Sequence, residues 1–129
     1  MSAARIAWLM GVLCATVSVV HAEAPSETVQ AEITGLLHEL GASHCDFFRN
    51  GSWYDSAKAE SHLQRKLDYF ERKALITTAD AFIVDAASQS SMSGEIYQVR
   101  CPGRSAQPSA DWLRDKLGEL RRRTPALKP

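Results

Sequence analysis

The sequence lacks most of the patterns that carry recognisable chemistry. There is no C-x-x-C pair, which removes the usual dithiol redox arrangement. There is no G-x-S-x-G and no S-x-x-K, so neither the nucleophile elbow nor the serine–lysine pair of penicillin-recognising enzymes is present. No charge dominates: 15 Lys+Arg face 15 Asp+Glu, whereas a dedicated nucleic-acid binder carries a basic excess. Close pairs of Cys and His at zinc spacing are missing, since His44 and Cys45 are directly adjacent. The longest uncharged apolar run, Ile6 to Val20, falls short of the roughly 20 residues that span a bilayer. No internal repeat and no long linker divides the 129 residues, a length suited to one domain.

What the first residues do have is the layout of an export signal. Arg5 supplies a positive start, Ile6 to Val20 an apolar middle, and Val20-His21-Ala22 the small residues that a signal peptidase reads before a cut at Glu23. The expectation is a signal peptide over 1–22 and a single α+β domain over 23–129, periplasmic or secreted, with no membrane span after cleavage. Cleavage removes Arg5 from the cations and leaves 14 against 15 acidic residues. Charge is then uneven, with Glu27, Glu32 and Glu39 early and Arg121, Arg122 and Arg123 late. Cleavage also removes Cys14, leaving Cys45 and Cys101. In an oxidising compartment these two have one possible pairing.

The apolar spacing sets the elements. Val29, Ile33, Leu36, Leu37 and Leu40 form one face of a helix, with Ser26 as its N-cap and Gly41 as its stop. Asn50-Gly51 between aromatic-rich runs marks a hairpin, because its turn needs two residues that tolerate positive φ. A second helix runs from Ser56 to Lys73 on the stripe Ala59, Leu63, Leu67 and Phe70, capped by Asp55 or Ser56. Thr77 and Asp80 resemble a capping box for a third, whose buried face is Ala79, Phe82, Ile83, Ala86 and Ala87. Ser88 to Gly94 reads as a loop, Glu95 to Cys101 as a strand with Tyr97, Val99 and Cys101 on one face, and Gly103 to Pro108 as a loop. Ser109 caps a last helix that turns Trp112, Leu113, Leu117 and Leu120 inward. The fold class is α+β: a small domain of about four helices packed on a hairpin plus one further strand, closed by one disulfide.

Several blocks in one order, Phe48-Arg49-Asn50-Gly51, His62-Leu63 with Lys66, Ile76-Thr77-Thr78-Ala79 with Phe82-Ile83, Ser90-Ser91-Met92-Ser93-Gly94 and Tyr97-Gln98-Val99, resemble the YfeK-like family of small exported bacterial proteins. The resemblance covers about residues 45–103. It implies an exported address and a small size, and it brings no reaction and no cofactor.

Three functional classes follow from the polar residues. The first is a non-catalytic periplasmic domain that binds an envelope protein or a small ligand through Arg49, Asn50, His62, Ser91 and Arg100. The second is a small hydrolase in which His62 activates a serine of the 90–93 loop, oriented by Asp55 or Asp80. The third is a ligand-free structural or envelope-stress protein. Trp53, Tyr54 and Tyr97 suit either a sugar- or peptide-binding surface or the core. The basic C-terminal helix end suits solvent, an anionic membrane surface or the acidic first helix.

Overall fold

A computed structural model describes residues 11–12, 14–18 and 25–124; the expected processing site at Ala22 lies outside them. The order is α1 (Glu27–Ala42), β1 (Asp46–Arg49), β2 (Ser52–Tyr54), α2 (Ser56–Arg72), α3 (Ala79–Ala81, continuing as a π-helical turn over Phe82–Ala86), β3 (Gln98–Arg100), β4 (Gln107–Pro108) and α4 (Ser109–Arg123). The sheet is antiparallel throughout, in the order β2-β1-β3-β4. Among the described residues no helix is long and apolar enough to cross a membrane.

The α+β class holds, and the core is the one the spacing marks. Ile33, Leu36 and Leu40 of α1, Leu63 of α2, Phe82 and Ile83 after α3, and Leu113 of α4 are all within 1% of full burial, together with Phe47 and Val99 from the sheet. Each such side chain contributes on the order of 1.5–3 kcal/mol relative to exposure. Because side chains alternate across a strand, Phe47, Arg49, Tyr54 and Val99 share the sheet face that meets the helices. Asp46, Phe48, Trp53, Gln98 and Arg100 share the other. There Arg100 lies 3.9 Å from the centroid of the Trp53 ring and pairs with Asp46 at 3.3 Å.

Cys45 and Cys101 are joined as a disulfide. The β1–β3 register pairs Asp46 with Arg100 and Phe47 with Val99, so the two cysteines face each other one step beyond the ladder. The bridge therefore staples the two central strands at one end.

The differences from the sequence reading have local causes. α1 does not stop at Gly41 but passes through it, with Ser43 as C-cap and His44 as the left-handed residue, φ 57°. Gly41 is where α2 approaches: a Cβ there would collide with the Glu60 carboxylate, and Ser56 Oγ donates to the Gly41 carbonyl at 3.1 Å. The cap of α3 moves from Thr77 to Thr78, whose hydroxyl accepts the Ala81 N–H at 2.9 Å. The expected third helix keeps its buried face but widens to π geometry after one α turn. The strand expected over Glu95 to Cys101 shortens to β3, with an isolated bridge from Gln89 to Ile96 ahead of it. The loop before α4 contributes β4, and Ser109 starts α4 without capping it: its N–H donates to the Tyr97 carbonyl, while its buried Oγ has no partner among the described residues.

α2 ends in a Schellman motif, with Ala74 N–H on the Glu71 carbonyl and Leu75 N–H on that of Phe70. Its left-handed residue is Ala74, φ 54°, where a Cβ is unfavourable. Ala74→Gly should therefore stabilise the protein by about 1 kcal/mol, read as a higher urea midpoint at unchanged m. A lower midpoint would show that chain entropy outweighs the relief.

Candidate functional site

The β1–β2 hairpin and the first half of α2 enclose a pocket of about 550 Å³. Its walls are Phe47, Arg49 and Tyr54 from the hairpin, and Asp55, Ala57, Lys58, Ala59, Ser61, His62 and Arg65 from α2 and its cap. The volume lies within the range of small-molecule sites. α2 presents Lys58, His62 and Arg65 to it because positions i, i+4 and i+7 share one helix face. β1 presents Arg49 because it lies two residues beyond the buried Phe47, on the same sheet face.

The charge of this pocket is lopsided. Arg49, Lys58 and Arg65 form no ion pair among the described residues. Arg49 instead lies over the Tyr54 ring, 5.1 Å from its centroid. The one carboxylate in the wall, Asp55, caps α2 by accepting the Lys58 N–H at 2.8 Å.

Behind the pocket a hydrogen-bonded chain fixes His62. Lys66 Nζ donates to the Gln89 carbonyl at 2.8 Å and to Tyr97 Oη at 3.2 Å. An ammonium has only donors, so Tyr97 Oη accepts from it, and Tyr97 Oη also shares a hydrogen bond with His62 Nε2, 3.0 Å away. Burial, then Arg49, Lys66 and Arg65, push the His62 pKa down from 6.5 to about 4. Burial, with Arg49 second, lowers Lys66 to about 8. Burial raises the Tyr97 phenol and Arg49 opposes it.

A stability test follows from His62. Between pH 6.5 and about 4 the unfolded chain takes up a proton that the folded ring resists, so stability falls as pH drops through that window. His62→Gln should flatten this part of the profile, comparing urea midpoints of the two proteins near pH 7 and near pH 4.5. Equal acid losses in both would rule the assignment out.

The five polar residues picked from the sequence do not form one site. Arg49 and His62 share the pocket. Asn50, φ 47°, sits in the hairpin turn and accepts from Ser93 Oγ at 2.9 Å. Ser91 is exposed in its loop, and Arg100 is on the opposite sheet face, over Trp53. Ser90 Oγ accepts the Met92 and Ser93 N–H groups, and no hydroxyl of residues 90–93 bonds His62 among the described contacts. Of the aromatics, Tyr97 is buried while Trp53 and Tyr54 are half-buried. Lys58 and Arg65 were not singled out, although their spacing with His62 on the polar side of α2 was readable. The basic helix end pairs with the acidic first helix: Arg121 with Glu32 and Arg123 with Glu39.

Among the described residues no three His, Cys, Asp or Glu side chains are grouped to hold a metal ion. A sequence pattern described as Family of unknown function (DUF5329) matches residues 27–121, from the start of α1 almost to the end of α4. No curated protein and no solved structure matches the chain.

Proposed function

We propose a function for a chain that belongs to DUF5329, a family of unknown function: an exported, non-catalytic domain that binds a small anionic ligand between its β-hairpin and α2. The observation that carries the reading is the pocket itself, which Arg49, Lys58 and Arg65 line without an ion pair among the described residues, beside the neutral His62 and a single carboxylate, Asp55. Cations that line one cleft without ion pairs make its potential positive, and an anion is drawn to it. Each charge-assisted hydrogen bond to it contributes about 1.5–3 kcal/mol.

Export is supported by the signal-like segment 1–22, by the likeness to the YfeK-like proteins over about 45–103, and by the Cys45–Cys101 disulfide, a bond of oxidising compartments. The hydrolase reading has less support, because His62 bonds to Tyr97 and not to a serine.

Titrating the purified protein with sodium benzoate at fixed ionic strength, followed by amide chemical shifts, tests the reading. Shifts should centre on residues 49, 54, 58, 62 and 65, and Arg49→Gln should weaken binding by about tenfold or more. Shifts scattered over the surface, or equal in Arg49→Gln, would remove it.

A further inference from the structure

Resting on that reading, the geometry points to the class of ligand: a monocarboxylate on an apolar body, an aryl or acyl carboxylate, rather than a phosphate. Three features of the pocket argue for this.

The first is how the cations are spread. Lys58, His62 and Arg65 follow one another along α2 over about 10 Å at 1.5 Å per residue, and Arg49 faces them from the hairpin. A phosphate is best held by groups that converge on one point or by a nest of backbone N–H groups. A file of donors along a cleft suits an elongated molecule whose charge sits at one place. The second is the lining between the cations. Half-buried Tyr54 and exposed Ala57 supply aromatic and methyl surface there. The third is Asp55. Its carboxylate caps α2 in the wall beside Lys58, so a second anionic group on the ligand would meet a like charge there. A single carboxylate at the Arg49, His62 and Arg65 end meets a planar guanidinium already held against Tyr54, whose N–H fork matches two carboxylate oxygens. The apolar body then lies along Tyr54 and Ala57.

The test compares four probes on the purified full chain by calorimetry and amide shifts: 3-phenylpropionate, hexanoate, 3-phenylpropanol and inorganic phosphate. Both carboxylates are expected to bind at the pocket at least about tenfold more tightly than the alcohol or phosphate. Arg49→Lys, which keeps the charge and loses the fork, should cost most of the carboxylate affinity. Tyr54→Ala should weaken 3-phenylpropionate and leave phosphate unchanged, with circular dichroism checking that each variant is folded. Phosphate binding as tightly as 3-phenylpropionate would overturn the ligand class while the anion pocket stands. The alcohol binding as tightly as the acid, or no probe binding, would overturn both.

Discussion

Replacing both Cys45 and Cys101 by Ala should lower the stability of the protein by about 4 kcal/mol. The bridge spans a sequence separation of 56, and closing a loop of that size removes a large share of the unfolded chain's freedom. Small domains hold only about 5–15 kcal/mol in all, so the loss is a substantial fraction. The expected signature is a fall in melting temperature of roughly 15–30 °C, at about 4–8 °C per kcal/mol. The fold should survive at low temperature, because the ladder places Asp46 opposite Arg100 and Phe47 opposite Val99 without help from the sulfurs. A melting temperature within a few degrees of the parent would mean that the reduced chain is already restrained by residual structure.

The second large effect is expected at Arg121. Its guanidinium holds both oxygens of Glu32, at 2.5 and 3.2 Å, and reaches Asp80 Oδ2 at 3.4 Å. Glu32 is 3% exposed, on the buried side of α1, so this one arginine ties α1, α3 and α4 together. Arg121→Met removes the partner and leaves a carboxylate in the interior, which costs about 3–5 kcal/mol. The double variant Glu32→Leu with Arg121→Met should recover most of the loss, because the desolvation cost disappears with the charges. Denaturant unfolding of the single and double variants closes the cycle. A single mutant within about 1 kcal/mol of the parent would show that water reaches Glu32.

The sequence carried the core and the element order because burial imposes a period. Leu36, Leu63 and Leu113 could be placed inward from spacing alone, and the cysteines had one way to pair. It carried ends less well. Gly41 has the composition of a helix stop, but the close approach of α2 requires the same residue for a different reason. Nothing local distinguishes the two. Thr77 and Thr78 are equally good caps, and only the packing of Ala79 decides between them. The two-residue β4 has no pattern of its own; it exists because β3 offers it an open edge. For the candidate site, Arg49 and His62 were readable as polar residues beside apolar stripes. Their convergence was not, since it depends on the hairpin folding back over the start of α2. Arg100 illustrates the reverse. Strand alternation put it opposite Val99 on the sheet, and that alone turned it away from His62. The Tyr97–His62–Lys66 chain joins residues 31 and 35 positions apart, beyond the reach of any local rule.

The staple at Cys45 and Cys101 also governs how the molecule responds to force. Tension applied between the two ends of the chain passes through the sulfur–sulfur bond and bypasses everything between them. The enclosed segment, with a separation of 56, would otherwise lengthen by about 190 Å when pulled straight. While the bond is intact that length stays hidden, and only the parts outside it can be drawn out, chiefly α1 and α4, which are held to each other through Glu32 with Arg121 and Glu39 with Arg123. The hairpin, α2 and the pocket between them all lie within the shielded segment. A pull strong enough to peel the outer helices away would therefore reach the cleft between the hairpin and α2 last.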